Sequence, residues 1–261
     1  MNLPDSFIQR IVSRLKQPDI IGIAMVGSYA RGEGGQFSDV DLDIYVNTLP
    51  QNEYDRYTLH YWEKRLISLK YILLHQELAA LSRPSEAIWA VPGLRQMRIL
   101  VDDAGQLAEL QRTAKNFQWK NLQLAANEYA TEQLIGCAEE THKILSGLSR
   151  NEESTILYAV WGLIKGLASG VATQRGLLIE SENRYFDIIQ DSVGRNSEWT
   201  HSFRLALGAD FGAMDKPPFK TRGMAALSLY RYTALLFEEI IASHHRNVVE
   251  TTINLIQKAG Y

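Results

Sequence analysis

The chain has 261 residues, of which 46% are hydrophobic, and a formal net charge of -3 at pH 7. This composition predicts a soluble globular protein with two modest domains or one large one. The slightly acidic balance, without any extended run of Lys and Arg, argues against a nucleic-acid partner. The single cysteine, Cys137, excludes an internal disulfide framework and a cysteine-cluster metal site.

The ends of the sequence and the length of its apolar runs bear on targeting and membrane insertion. Neither end carries the charged flank and apolar core of a signal peptide, and no uninterrupted apolar run approaches the roughly 20 residues that span a bilayer. We therefore expect a cytoplasmic location and no membrane partner. The sequence does not decide between a monomer and a homodimer.

The first elements in chain order are a helix and two strands. Residues 7–15 carry apolar side chains at helical spacing, after a capping position at Asp5 or Ser6. The apolar run 20–26 predicts a buried strand, with the helix packed behind it. Residues 40–46 alternate between apolar and acidic side chains, which predicts a second strand.

Two acidic residues at the start of this second strand are the strongest candidates for chemistry. Asp39 and Asp41 are two positions apart, so their carboxylates point the same way. Like charges held this close raise each other's pKa, and Mg²⁺ would relieve that cost because it prefers hard oxygen ligands. The alternative is a solvated strand edge. The preceding turn, Gly27-Ser28, offers backbone N–H groups that favour a phosphate.

The complete pattern is Gly27-Ser28, ten intervening residues, then Asp39-Val-Asp41 and apolar alternation. It resembles the signature of the nucleotidyltransferase superfamily typified by DNA polymerase beta, and within it the kanamycin-type aminoglycoside and lincosamide nucleotidyltransferases. The resemblance implies that Gly27 and Ser28 bind the phosphates of a nucleotide and that Asp39 and Asp41 bind Mg²⁺. It also implies transfer of a nucleoside monophosphate to a hydroxyl group.

Two further charged residues near this motif have open roles. Arg31 could bind the triphosphate, as a candidate nucleotide-binding residue, or it could pair with Glu33 or Asp39 as a structural cation. Asp43 shares the face of Asp41 but lies deeper along the strand, and a salt bridge is the favoured role for it.

Residues 53–64 predict a short aromatic-rich helix or an irregular cover. Its aromatic side chains could stack a nucleobase or fill a core; they are Tyr54, Tyr57, Tyr61 and Trp62. A third strand follows at 66–74. Many superfamily members carry another carboxylate on this strand, but here the inner positions hold Ser68, Lys70 and Ile72, and Glu77 is the first acid beyond them.

A short element at 86–91, a turn at Pro92-Gly93, a strand at 96–101 and a helix at 106–115 complete the first half. From residue 121 onward only helical patterns remain, with Gly147 predicted to end the first helix and Asn151 to cap the second. The predicted fold class is α+β. A small mixed sheet flanked by helices forms a catalytic domain over residues 1–117, and an all-α bundle covers residues 118–261.

The helical region supplies the candidate general base. In kanamycin-type enzymes a glutamate acts as the general base and a lysine binds the phosphates, and the resemblance implies these roles for Glu139 and Lys143. From spacing alone, the same pair predicts an ordinary surface ion pair of about 0.2–0.5 kcal/mol. Glu140, Glu77 and His142 are the alternative bases. Histidine titrates near neutral pH, but no second metal-type ligand lies at helical spacing from His142, so an ordinary packed or exposed helix residue is the favoured interpretation of it.

The expected activity is Mg²⁺-dependent transfer of a nucleoside monophosphate, AMP from ATP, to a hydroxyl of a small acceptor. Aminoglycosides and lincosamides are the acceptors that the resemblance suggests. One alternative is modification of a protein or an RNA, as in toxin and antitoxin systems. A non-catalytic nucleotide-binding protein is the other alternative.

Overall fold

The computed structural model describes residues 3–210 and 218–261. The N-terminal half contains one five-stranded sheet with the order β3-β4-β2-β1-β5. β2 and β4 are parallel, and the other neighbouring pairs are antiparallel, so the sheet is mixed. The strands are β1 (Ile20–Val26), β2 (Val40–Val46), β3 (Tyr57–Trp62), β4 (Arg65–Leu73) and β5 (Arg98–Val101).

One face of this sheet packs on the first helix, α1 (Asp5–Leu15), as the sequence predicted. Alternation along β2 sends its apolar residues to this face and its aspartates to the other. The core between α1 and the sheet includes Phe7, Ile11, Leu42 and Ile44, all of them buried. The aspartates of β2 therefore lie on the face of the sheet opposite α1.

The remaining helices of this half are α2 (Gly27–Ala30), α3 (Leu74–Ala80), α4 (Pro84–Gln96) and α5 (Gln106–Lys115). The prediction of a turn at Pro92-Gly93 is wrong, because α4 continues through Pro92, which is buried inside the helix. The prediction for residues 53–64 is also wrong in part. Only 53–56 form a 3₁₀ turn, while 57–62 form the outer strand β3.

The second half is helical. Its helices are α6 (Gln123–Arg150), α7 (Glu153–Gln174), α8 (Tyr185–Val193), α9 (Glu198–Leu207), α10 (Pro218–Leu236) and α11 (Ser243–Lys258). Gly147 lies inside α6, where it permits close packing against Ile156. Asn151 adopts a left-handed conformation at the end of α6, so it closes the first helix and does not start the second. The predicted α+β class is confirmed.

The chain forms two compact units. The first contains the residues up to Lys120 together with Leu178–Glu182, and the second contains the described residues of Asn121–Leu177 and Asn183–Tyr261. The sequence placed the division after residue 117 and assigned the short segment Leu178–Glu182 to the helical part. In the structure, Ile179 of this segment is buried and its N–H donates to the carbonyl of Ile88, at 2.7 Å.

Within the described ranges, α7 is the one helix that is long and apolar enough to cross a membrane by length and composition. More than half of its most apolar stretch is buried inside the protein. The core helix of a globular domain meets the same criteria, so α7 alone does not indicate a membrane span.

Candidate active site

The turn between β1 and β2 is built around Gly27. This residue has a φ of 66°, in the left-handed region that favours glycine. A Cβ built on Gly27 would lie closer than 3.0 Å to Oδ2 of Asp41. The missing side chain at residue 27 therefore creates the space that the Asp41 carboxylate occupies.

Asp41 lies on β2 opposite Val26 of β1, which immediately precedes the Gly27 turn. Burial, followed by the nearby charge of Asp39, raises the pKa of Asp41 to about 6. A hydrogen bond from Ser68 and the charge of Arg31 lower this pKa, and Glu182 raises it. The environment thus penalises a negative charge on Asp41 when no cation is nearby.

Ser28 and Arg31 occupy the helical turn α2 that begins at Gly27. The Ser28 side chain is half-buried and forms no hydrogen bond with any residue in the described ranges. Arg31 donates through Nε to Glu33 Oε2 at 2.8 Å and through NH1 to the carbonyl of Glu180 at 2.9 Å. Of the two roles left open for Arg31, pairing with Glu33 is therefore present in the structure, and phosphate binding stays a prediction.

The neighbouring strand β4 carries no carboxylate opposite the aspartates. Ser68 is in register with Asp41, and Lys70 is in register with Asp43. Burial raises the pKa of Asp43 to about 7, while the charge of Lys70 lowers it, and Glu77 and Asp41 raise it. The charge of Lys70 therefore acts on Asp43, while the salt bridge favoured for Asp43 stays a prediction.

Glu77, the first acid after β4, lies on α3 and is partly buried. Burial raises the pKa of Glu77, whereas the charge of Lys70 lowers it and that of Glu86 raises it. Lys70 is thus shared electrostatically by Glu77 and Asp43. Sequence reasoning did not anticipate this shared cation, because it depends on the parallel register between β2 and β4.

The donor set of Asp39 and Asp41 fits Mg²⁺. In the part of the chain that the structure describes, no group of three or more His, Cys, Asp or Glu side chains is placed to hold a metal ion. One or two carboxylates, completed by phosphate oxygens and water, are the usual protein ligands of Mg²⁺ in nucleotide sites. The raised pKa of Asp41 is the cost that a cation between the two carboxylates would offset.

The candidate base and its lysine lie on α6, in the helical unit. Lys143 Nζ is 2.9 Å from Glu139 Oε1 and 3.0 Å from Glu140 Oε1. The hydrogen bonds that Lys143 donates to Glu139 and then to Glu140 raise the pKa of Lys143. The surface ion pair expected from spacing is therefore present, and it includes both glutamates.

The two glutamates differ in exposure. The side chain of Glu139 is 76% exposed and that of Glu140 is 20% exposed. The second carboxylate oxygen of Glu140, Oε2, is buried without a hydrogen-bond partner in the described parts of the chain and lies near the Cα of Gly162. Their neighbour His142 is exposed on the same helix, and Cys137 is a buried free thiol.

The aromatic residues ahead of β4 do not fill a core. Tyr54 is 86% exposed, and the β3 residues Tyr57 and Tyr61 are 56% and 77% exposed. Trp62 is partly buried against the α1 side of the sheet. A core role is therefore wrong for the three tyrosines, whose ring faces reach solvent.

The mixed sheet, the glycine-serine turn and the paired aspartates form the arrangement that the resemblance to nucleotidyltransferases implies. Residues 8–92 match the family described as "Nucleotidyltransferase domain". This range contains the turn and both aspartates. The predicted superfamily is confirmed.

Two known proteins are similar to parts or to the fold of this chain. A curated protein of Methanocaldococcus jannaschii, "Putative protein adenylyltransferase", is 39% identical over 56 residues, which are 22% of this chain and 37% of that protein. The chain thus matches little more than a third of that relative's length. A crystal structure of a nucleotidyltransferase-like protein from Exiguobacterium sibiricum aligns with a TM-score of 0.50 and 15% identity over 91% of this chain and 76% of that chain. At this identity, the likeness shows the fold alone.

Proposed function

We propose that the chain transfers a nucleoside monophosphate, AMP from ATP, to a hydroxyl of a small acceptor, with release of pyrophosphate. The observation that carries this proposal is the packing of the Asp41 carboxylate against Gly27, beside Asp39 and at the start of the Ser28 turn. Three features needed for a Mg²⁺-triphosphate thus converge at one end of β1. The choice of ATP is supported by the adenylyltransferase name of the curated relative.

In the proposed reaction, the Ser28 hydroxyl donates a hydrogen bond to the outgoing phosphates. Asp39 and Asp41 would hold Mg²⁺, which supplies neutralisation of the charge that develops on the phosphate oxygens. The acceptor oxygen forms a bond to the α-phosphorus while the bond from that phosphorus to the bridging oxygen of pyrophosphate breaks. Chemistry of this type depends mainly on positioning and electrostatics.

The proton of the acceptor hydroxyl needs a base, and we assign this role to Glu139. The support is the match of Glu139 and Lys143 to the glutamate and lysine of kanamycin-type enzymes, together with the presence of Ser68 where a third carboxylate could stand. Lys143 would contact the phosphates. Glu140 is the alternative base, and its buried oxygen without a partner favours it on local geometry.

A protein acceptor is the second candidate function. The curated relative is named as a protein adenylyltransferase, and it shares 39% identity with this chain over the matched residues. A serine, threonine or tyrosine hydroxyl of an acceptor protein would then replace the small-molecule hydroxyl. The residues that bind the metal and the phosphates would be the same.

The experiment that tests the proposal measures pyrophosphate release with each of the four nucleoside triphosphates and Mg²⁺. Acceptors would include aminoglycosides, lincosamides and a mixture of proteins, and mass spectrometry would detect an added nucleoside monophosphate. We expect an AMP adduct of one acceptor class. Mg²⁺-triphosphate binding without any adduct across the panel would favour a non-catalytic binding protein.

A further inference from the structure

The outer strand β3 exposes a row of uncharged side chains. Tyr57, Leu59 and Tyr61 are 56%, 53% and 77% exposed, and we call these three residues the β3 strip. None of the six residues of β3 is acidic or is a Lys, Arg or Pro, although such residues commonly protect an exposed strand edge. Contiguous exposed apolar surface is a candidate binding surface.

The β3 strip lies on the same face of the sheet as Asp41. Ser68 of β4 is in register with Asp41 on one side and with Leu59 on the other. Directly paired residues of neighbouring strands share a face, so Asp41, Ser68 and Leu59 form a row across the sheet. The hydroxyl oxygens of Tyr57 and Ser68 are 3.5 Å apart, which agrees with this arrangement.

The direction of the proposed reaction places the acceptor on this side of Asp41. The attacking and leaving oxygens of a phosphoryl transfer are roughly in line. Within the proposed function, the Gly27-Ser28 turn holds the leaving pyrophosphate, and this turn follows β1, on one side of β2. The attacking hydroxyl must then approach from the other side, where β4 and β3 lie.

The distance between Asp41 and the β3 strip restricts the size of the acceptor. Neighbouring strands are about 4.8 Å apart, so the backbones of Asp41 and Leu59 are separated by roughly 10 Å. A compact molecule that lies over Ser68 and the β3 strip spans this distance. An extended peptide paired to the free edge of β3 would be about 14 Å from β2, which leaves its hydroxyl groups far from Asp41.

We infer that the β3 strip binds the acceptor, and that the acceptor is a compact hydroxylated ring compound with an apolar face. This inference rests on the proposed function for the location of the phosphates. The strip carries no charged group of its own, so recognition depends on contact between ring faces and the side chains of Tyr57, Leu59 and Tyr61.

The test measures probe binding by calorimetry in the presence of Mg²⁺ and a non-hydrolysable ATP analogue. The probes are lincomycin and a phenyl glucoside, which combine hydroxyl groups with apolar ring surface, and glycerol, which has hydroxyl groups and no ring. The double variant Tyr57→Ala/Tyr61→Ala removes the aromatic part of the strip. Tyr54→Ala is the matched control, because it removes another exposed tyrosine that lies outside the sheet.

The expected result is that the wild type binds a ring probe and that the double variant weakens this binding about tenfold, the loss of two aromatic contacts. Analogue affinity should be unchanged, and Tyr57→Phe/Tyr61→Phe should restore binding. Absence of ring-probe binding to the wild type, or equal affinity in the double variant, overturns the inference. A change in oligomeric mass upon the alanine substitutions, seen by light scattering, also overturns it, because the strip would then be a contact between copies.

Failure of the proposed function can be distinguished from failure of this inference. If a ring probe binds through the strip but no pyrophosphate is released from Mg²⁺-ATP, the acceptor surface stands and the transfer reaction is contradicted.

Discussion

The Oδ2 atom of Asp41 lies where a Cβ on residue 27 would have to be, so Gly27 and Asp41 occupy one shared space. The relationship joins two motifs that are fourteen positions apart in the sequence. Gly27 adopts the left-handed backbone conformation of the turn, and its lack of a side chain leaves space for the Asp41 carboxylate. A substitution at residue 27 should therefore affect both folding and nucleotide binding.

Gly27→Ala should displace the Asp41 carboxylate and weaken Mg²⁺-nucleotide binding at least about tenfold, because metal sites tolerate little displacement of a ligand. It should also destabilise the fold by about 1 kcal/mol or more, from the left-handed backbone. Calorimetry and urea unfolding measure the two effects. Gly105→Ala is the control, since Gly105 has a φ of 73° with no atom within 4 Å of a built Cβ, and it should lose stability without losing nucleotide affinity.

Asp41→Asn should stabilise the folded protein at pH 8. Burial raises the pKa of Asp41 to about 6 from an ordinary value of 3.8, so the folded state binds this proton more tightly than the unfolded state does. The free energy of unfolding therefore falls as pH rises from about 4 to about 6 and stays lower above that range. The amide removes this loss, with a gain of about 1–2 kcal/mol after allowance for partial solvent screening.

Urea unfolding at pH 3.5 and at pH 8 checks this prediction. The gain should be present at pH 8 and should largely vanish at pH 3.5, where the carboxyl is protonated in the folded state and mostly protonated in the unfolded state. Asp103→Asn, at an exposed acid, should show no such gain. An Asp41→Asn protein that is less stable than the wild type at pH 8 would contradict the account of this carboxylate.

Much of the fold follows from local patterns. The alternation along β2 predicts both its strand and its acidic face. Local residue preferences are also visible at α9, which Ser197 caps through the N–H of Thr200 and which ends at the left-handed Gly208. β3 escaped prediction although Tyr57, Leu59 and Tyr61 alternate with Thr58 and His60. The preceding residues 53–56 do form a helical turn, and the sequence interpretation extended that turn through the strand. The helix α4 passes through Pro92 because its neighbours Val91 and Leu94 are buried, and this tertiary packing outweighs the preference of proline for a turn.

The site was predictable to the extent that its chemistry is local in sequence. The turn and the paired aspartates lie within fifteen residues, so their proximity follows from two strands and one connection. The contact of Ser68 with Asp41 depends on strand register across the sheet. The contact between Arg31 and Glu180 joins residues 149 positions apart, and no local pattern could reveal it.

Ser28→Ala should weaken the binding of ATP more than the binding of AMP, because the hydroxyl is assigned to the outgoing phosphates. A hydrogen bond to a charged group contributes about 1.5–3 kcal/mol, which corresponds to a loss of roughly tenfold or more for ATP. Competition titrations with both nucleotides measure the difference. Equal losses would show that the serine only shapes the turn.

Glu139→Gln should keep nucleotide affinity and lower turnover by about 10²- to 10⁴-fold, the usual contribution of a general base. Glu140→Gln should leave turnover within a few-fold, and Lys143→Ala should weaken nucleotide binding. Steady-state kinetics with the identified acceptor measure all three. If Glu140→Gln shows the large loss and Glu139→Gln does not, the base is Glu140.

The most direct test of the central claim is calorimetric titration of ATP, with and without Mg²⁺, into the wild type and into the Asp39→Asn and Asp41→Asn variants. We predict Mg²⁺-dependent binding to the wild type and a loss of at least about tenfold in each variant, because each removes one charged metal ligand. The exposed-site control Asp103→Asn should match the wild type. Unchanged Mg²⁺-ATP affinity in both folded variants would contradict the assignment of Asp39 and Asp41 as the metal and nucleotide site.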